Sequence, residues 1–130
     1  MLGRNWIAGW TLVRIVFGVM LCAAHGIPKA MGDLTPFIQR VGSLGFPMPT
    51  FFAWCAVLTE VVGGILIALG LFTRPVAAFA SFTMIVAAYR HQADPFSAME
   101  KPLLFLTVFV ALILGGAGPW SLDAKVRRKA

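Results

Sequence analysis

Four apolar segments, each about long enough to cross a lipid bilayer, follow one another along this chain of 130 residues. A membrane-spanning helix needs about 20 mostly apolar residues. Because lipid offers no water to backbone amides, a segment of this kind bonds its own amides and becomes a helix. The sequence therefore predicts an all-α integral membrane four-helix bundle, formed as one domain over residues 1–130. The predicted spans are residues 6–26, 51–72, 74–91 and 101–118.

The composition agrees with lipid as the solvent. Hydrophobic residues make up 59% of the chain and charged residues 12%, whereas soluble proteins average about 25% charged residues. The net charge is +6, but most of the basic residues flank the apolar segments or lie in the C-terminal tail. They do not form a basic stripe interleaved with aromatic residues. We therefore expect the lipid bilayer as a partner, and no nucleic acid.

The first apolar segment is expected to stay in the protein as a span. Arg14 interrupts it, whereas the apolar core of a secretory signal peptide is uncharged. With four spans, both termini lie on one side of the membrane, and that side carries six basic residues against four on the other. Since Lys and Arg are enriched on the cytoplasmic side, both termini are predicted to be cytoplasmic. The long connection over residues 26–50 is predicted to fold back as a short interfacial helix.

Two ionisable residues lie inside the predicted spans, Arg14 in the first and Glu60 in the second. Both are expected near mid-membrane, where a charge costs about 2.5 to 3.5 kcal/mol. We therefore predict that Arg14 and Glu60 form an ion pair. The pair is either a structural salt bridge between the first two helices or a functional group, such as a proton relay or a substrate counter-ion.

The first helix carries further polar residues on the face of Arg14. At 100° per residue, Arg14, His25 and Lys29 fall within one arc, which is expected to face inward. His25 lies at the predicted outer end of this helix, on the side of the membrane that also holds Glu100. This arrangement predicts a site for a ligand with a polar head and an apolar body, such as a quinone. Alternatively, His25 is an interfacial residue capped by the loop, and Glu100 is a carboxylate favoured near a helix N-terminus.

The two cysteines, Cys22 and Cys55, are not expected to form a disulfide. Cys55 lies about 140° around its helix from Glu60, and a disulfide needs Cα atoms within about 7 Å. The sequence contains no C-x-x-C pair, nucleotide-binding loop, haem motif or metal-ligand spacing. Electron transfer would therefore depend on a bound quinone, on the cysteines or on another subunit.

Several short motifs, taken in their order and spacing, resemble the DoxX-like family of small bacterial inner-membrane proteins over nearly the whole chain. They are Arg14 in the first helix, His25-Gly26-Ile27-Pro28-Lys29, Gly45-Phe46-Pro47-Met48-Pro49, Glu60-Val61-Val62-Gly63-Gly64, Leu69-Gly70-Leu71-Phe72-Thr73-Arg74, and Gly118-Pro119-Trp120-Ser121-Leu122-Asp123. The resemblance implies a four-helix protein of the bacterial inner membrane. Members are often labelled oxidoreductases, by association with the thiosulfate:quinone oxidoreductase subunits that gave the family its name.

These observations together predict a quinone-linked or redox-complex membrane component. The predicted ligand-binding residues are Arg14, His25, Lys29, Glu60 and Glu100. A quinone, redox partner proteins and further copies of the chain are the candidate partners, and no metal is expected. The alternative is a non-catalytic membrane partner or scaffold, or a binder of a small hydrophobic ligand. The sequence leaves open whether the chain is itself an enzyme.

Overall fold

The computed structural model describes residues 2–129, and within them every regular element is a helix. The helices are α1 (Leu2–Met20), a π-helical segment (Leu21–Gly26), α2 (Ile27–Met31), α3 (Thr35–Ser43), α4 (Pro49–Leu69), α5 (Thr73–Arg90), α6 (Phe96–Gly115) and α7 (Leu122–Lys129). The prediction of an all-α protein is confirmed. The long connection contains a short helix, α3, as predicted, and a further helix, α7, occupies the charged C-terminal tail.

α1, the π-helical segment and α2 form one continuous rod. Its apolar part, Gly3–Met31, has 29 residues, which corresponds to about 44 Å at 1.5 Å per residue. The rod continues past the predicted end at residue 26, and Pro28 lies in the first turn of α2. A proline is tolerated there, since the amide it lacks would have no partner within that helix.

The π-helical segment keeps one face of the rod directed at α4. In an uninterrupted α-helix, residues four apart drift by about 40° around the axis. A π turn contains one more residue than an α turn and so rotates the chain less per residue. Gly26 consequently contacts α4 along the same line as Gly18 and Cys22.

The rod and α4 are antiparallel, and their backbones are in contact. A Cβ atom on Gly64 would lie 2.7 Å from the carbonyl oxygen of Gly18 and 2.8 Å from the amide nitrogen of Cys22. Gly63 faces α5 instead, where a Cβ atom would lie 3.1 Å from the side chain of Val76. Small residues commonly allow such close packing of membrane helices.

The apolar core lies between the rod, α4, α5 and α6. Its largest fully buried side chains include Phe109, Leu21 and Ile67. The residues that form this core are Leu21, Ile67, Ala77, Ala80, Met84, Phe105, Phe109 and Leu112. Many large apolar side chains point outward instead, among them Leu114 at 77% exposure and Phe79 at 68%, as a lipid-facing surface requires.

Three of the helices are long and apolar enough to cross a membrane: Gly3–Met31, Pro49–Leu69 and Phe96–Gly115. α5 packs against α4 and α6 but is not one of these three helices. It has 18 residues, and Arg74 and Arg90 at its two ends lower its mean hydropathy. The predicted count of four spans is therefore supported for three helices only. α6 begins at Phe96, earlier than the predicted residue 101, with Pro102 inside it.

Candidate functional site

Glu60 forms an ion pair with Lys29. The ammonium Nζ of Lys29 lies 2.8 Å from Oε1 and 2.9 Å from Oε2 of Glu60, and donates to both. The Glu60 side chain is 3% exposed and that of Lys29 is 28% exposed. The predicted pairing of Glu60 with Arg14 is therefore wrong, although Glu60 is indeed paired with a cation from the first helix.

Arg14 binds backbone carbonyl groups. Its Nη1 donates to the oxygen of Ala117 at 2.6 Å, and its Nη2 donates to those of Trp120 at 3.1 Å and Ala68 at 3.4 Å. Arg14 is 2% exposed. It thus joins the rod to the last turn of α4 and to the turn between α6 and α7.

The antiparallel register explains why Arg14 and Glu60 do not meet. Gly26 lies against Glu60, whereas Arg14 lies against Ala68 and Gly70. Arg14 and Gly26 are twelve positions apart, a distance of about 18 Å along the helix axis. The predicted depth of Arg14 assumed a first helix that starts at residue 6 and ends at residue 26, whereas the rod is longer at both ends.

Glu60 and Lys29 lie near the middle of the bundle. Glu60 is eleven positions from the first residue of α4 and nine from the last. Lys29 reaches it from α2 because the rod continues beyond Gly26. Glu60 thus lies at mid-length of α4, in agreement with the expected position well inside its span. The expected position of Lys29 at the outer end of the bundle is corrected, because its ammonium lies at the level of Glu60.

His25 lies beside this pair and is half-buried. Its ring packs edge-to-face against Phe105 of α6, with the ring centroids 5.4 Å apart. Lys29 and Lys101 are the cationic side chains close enough to interact electrostatically with the His25 ring. Of the predicted residues, the structure thus pairs Lys29 with Glu60 directly and places His25 four positions before Lys29 on the same rod.

Phe37 of α3 completes the surroundings of Lys29. The Lys29 ammonium lies 4.7 Å from the centroid of the Phe37 ring, a cation–π contact. α3 packs against α4, so this short helix covers the pair from the side. Sequence reasoning missed Phe37: the long connection was predicted to form a short interfacial helix, but nothing in the sequence singled out this ring. We call His25, Lys29, Phe37, Glu60 and Phe105 the His25 cluster.

Glu100 is not part of the His25 cluster. It is exposed on α6, and no side-chain hydrogen bond or ion pair involves it within residues 2–129. In the turn before α6, His91 Nδ1 lies 2.7 Å from a carboxylate oxygen of Asp94. His91 and Asp94 therefore interact with each other rather than with the His25 cluster.

The other end of the bundle contains a second polar centre, formed around Asp123. Its carboxylate accepts hydrogen bonds from the amides of Phe72 at 2.8 Å and Thr73 at 3.0 Å, where α5 begins. The Asp123 amide donates to the carbonyl of Gly70. Partial burial raises the pKa of Asp123, but the hydrogen bonds from Thr73 and Phe72 outweigh this effect, so the pKa lies below its ordinary value.

These contacts connect two of the motifs noted in the sequence. The segment from Leu69 to Arg74 contributes the amides, and the segment from Gly118 to Asp123 contributes the carboxylate. Arg14 binds the same two regions through Ala68 and Trp120. We call this arrangement the Arg14 junction. Its contacts hold together the rod, the end of α4, the start of α5 and the start of α7. Its role was missed from the sequence, where the motifs are 50 positions apart.

The two cysteines are free, Cys22 buried and Cys55 exposed, in agreement with the expectation that they do not form a disulfide. Within residues 2–129, no group of three or more His, Cys, Asp and Glu side chains is arranged to hold a metal ion. The His25 cluster is therefore a site of hydrogen-bond donors, one carboxylate and two aromatic rings.

Known proteins similar to this chain include membrane proteins. The family model described as DoxX matches residues 9–93. Inner membrane protein YphA of Escherichia coli (strain K12) is 34% identical over 125 residues, which cover 88% of each chain. The Bacillus subtilis (strain 168) protein named "Putative oxidoreductase CatD" is 29% identical over 124 residues, covering 94% of this chain and 90% of that one. No solved structure matches the chain.

The segment matched by the family model includes most of the residues described above. It contains Arg14, His25, Lys29 and Glu60, and it ends before Asp123. Both the match and the identity to YphA extend over more than half of the chain. The resemblance noted in the sequence is confirmed, and this chain belongs to the DoxX family of membrane proteins.

Proposed function

We propose that the protein binds an amphipathic molecule from the lipid phase at the His25 cluster, and that this molecule is a quinone that links the protein to a redox complex. The Lys29–Glu60 pair carries the proposal. It lies at mid-length of α4, and the Lys29 side chain is nevertheless 28% exposed. A partly exposed ammonium group at this depth favours a ligand that arrives through the membrane. Ionisable groups within membrane spans commonly mark the pathways of substrates and ions.

The chemistry of the cluster suits the head of a quinone. A lysine ammonium has three protons, and the two oxygens of Glu60 engage two of them. The third proton and the single N–H of a neutral His25 ring are donors for carbonyl oxygens. Phe105 and Phe37 supply aromatic surface on which a quinone ring packs.

In this proposal the chain binds and orients the quinone and provides a proton from His25 or Lys29. Oxidation and reduction take place on the quinone and on a partner protein that exchanges electrons with it. The name "Putative oxidoreductase CatD" of the Bacillus subtilis relative supports a redox assignment for this chain.

The proposal includes a location in the bacterial inner membrane with four spans and both termini in the cytoplasm. The name of YphA supports the inner membrane. α5 serves as the remaining span: its 18 residues correspond to about 27 Å, close to the thickness of about 30 Å of the hydrocarbon core. Arg74 and Arg90 then extend to the two interfaces.

A second candidate function is that of a non-catalytic membrane partner or scaffold. It is favoured by the Lys29–Glu60 pair itself, because a carboxylate that is bonded through both oxygens is also what a structural pair requires. Two surface grooves, one near the tail and one between α4 and α5, are lined by residues outside the His25 cluster.

Binding of a short-chain quinone by the full-length protein in mild detergent distinguishes the two functions. We expect the wild type to bind the quinone and His25→Ala to weaken binding at least tenfold. The double variant Lys29→Met/Glu60→Gln should weaken binding as much, and it leaves no unpaired charge because both members of the ion pair are removed. His91→Ala is the matched control, because His91 lies outside the His25 cluster.

Extraction of lipids and proteins that co-purify with the wild type gives a second measurement. A co-purified quinone supports the proposal. Absence of quinone binding by the wild type, or equal affinities of His25→Ala and His91→Ala, would contradict it. A co-purified protein together with bulk lipid alone would then favour the scaffold.

A further inference from the structure

We propose that a groove beside the C-terminal helix binds the headgroup of an anionic phospholipid. This tail groove has a volume of about 460 Å³ and lies between the N-terminal part of α1, the end of α6 and α7. Trp6, Gly115, Pro119, Arg127 and Arg128 are among its lining residues. It is separate from the His25 cluster, so the inference does not depend on the proposed quinone.

The tail groove lies where a membrane span ends. Gly115 is the last residue of α6, one of the three helices apolar enough to cross the membrane. Trp6 is 59% exposed, and tryptophan is enriched at the level of lipid headgroups. The groove therefore opens at the depth at which phosphate groups of lipids lie.

The charge of the tail groove is positive. Arg127 and Arg128 are exposed side chains of its lining. Arg128 also donates to the carbonyl of Pro119 at 3.0 Å, which holds its guanidinium at the rim. Guanidinium groups match the oxygens of a phosphate with paired donors.

Asp123 does not cancel this charge completely. It acts electrostatically on Arg127, and it is the only acidic residue after Glu100. Its carboxylate oxygens already accept the amides of Phe72 and Thr73. The arginine donors therefore remain available for an anion.

The adjoining surface favours a lipid over a free anion. Leu114, next to Gly115 on α6, is 77% exposed, and the indole of Trp6 adds apolar surface to the groove. A phospholipid places its phosphate at the arginines and its acyl chains against this surface. Basic pockets at the ends of membrane helices bind anionic headgroups in this way.

The test is a titration of the purified full-length protein with dioleoylphosphatidylglycerol or dioleoylphosphatidylcholine, with bound lipids counted by native mass spectrometry. We expect the wild type to bind the anionic lipid about tenfold more tightly. Arg127→Gln/Arg128→Gln should remove this preference. Lys125→Gln/Lys129→Gln is the matched control, because it removes the same charge from α7 outside the groove and should keep the preference.

Arg127→Gln alone leaves the bond between Arg128 and Pro119 in place, so it should fold normally and lose part of the preference. Equal affinities of the wild type for the two lipids would overturn the proposal. An equal loss in the lysine variant would also overturn it, because general charge would then account for binding. Displacement of the lipid by inorganic phosphate at millimolar concentration would assign the groove to a free anion instead.

Discussion

Lys29 Nζ contacts both carboxylate oxygens of Glu60, at 2.8 and 2.9 Å, and so joins the helical rod to the middle of α4. The Glu60 side chain is almost completely buried. A buried charge is expensive unless it is paired and hydrogen-bonded, and here a single ammonium satisfies both oxygens. The pair therefore both holds the rod against α4 and forms the centre of the proposed binding site.

Removal of Lys29 should destabilise the protein strongly. Lys29→Met leaves the Glu60 carboxylate buried without a partner, and breaking a buried pair typically costs about 3 to 5 kcal/mol. Lys29→Met/Glu60→Gln should recover most of this loss, because no unpaired charge remains. Thermal unfolding in detergent measures both, with Lys101→Met, a change at an exposed lysine, as the control. A double variant as unstable as the single one would show that the charge pairing is not the cause.

Arg14 and Glu60 should act independently. Arg14→Gln loses hydrogen bonds to three carbonyl groups, each worth roughly 1.5 to 3 kcal/mol for a charged donor. Because distant sites add, the loss in Arg14→Gln/Glu60→Gln should equal the sum of the two single losses to within about 0.5 kcal/mol. A double-mutant cycle in detergent measures the coupling. A coupling well above this value would mean that the two side chains interact after all.

Gly64→Ala should push the rod away from α4. The added Cβ atom would lie 2.7 Å from the carbonyl oxygen of Gly18, which belongs to a backbone that cannot move without displacing the helix. Overpacking of this kind typically costs about 1 to 3 kcal/mol. Gly9→Ala is the control, since nothing lies within 4 Å of its added Cβ atom. Equal melting temperatures for Gly64→Ala and the wild type would contradict the close helix contact.

Asp123 should stabilise the protein at neutral pH and lose this effect in acid. Its pKa in the folded protein lies below the ordinary value, which is about 3.9 in an unfolded chain. A lowered pKa stabilises the fold above the unfolded pKa, and the effect is lost as the pH falls through the folded pKa. Asp123→Asn should therefore melt below the wild type at pH 7, and the difference should shrink below about pH 4.

Melting temperatures measured from pH 7 to pH 3 test this, with Glu100→Gln as a control at an exposed carboxylate. A difference between the wild type and Asp123→Asn that stays constant over this range would show that the charge of Asp123 does not act through the amides of Phe72 and Thr73.

The four-span topology predicts where a reporter enzyme is active. Alkaline phosphatase works only outside the cytoplasm, so a fusion after Gln92, in the turn between α5 and α6, should be active. A fusion at the C-terminus should be inactive, because both termini are predicted to be cytoplasmic. Equal, high activity of the two fusions would place both positions outside and contradict the proposed orientation.

The sequence was sufficient for the class of fold and for most members of the proposed site. Long apolar segments can satisfy their backbone in lipid only as helices. A histidine and a glutamate within these segments, and a lysine just beyond the first, were predicted to face protein rather than lipid. The two partners of the Arg14 junction were also visible, but only as separate motifs, since nothing in either segment indicates that Asp123 caps the start of α5.

By itself, the sequence determined that the chain is helical and that it is a membrane protein, because these follow from the cost of polar groups in lipid. For the same reason it predicted that His25, Lys29 and Glu60 lie on inward faces. Only the tertiary structure decided which charges meet. The contact of Gly18 with Gly64 sets the antiparallel register, and the π-helical segment carries the rod onward to Lys29. Two charges pair only if the register brings them within a few ångströms of each other. The apolar pattern, however, defines the ends of each helix only to within a turn or more.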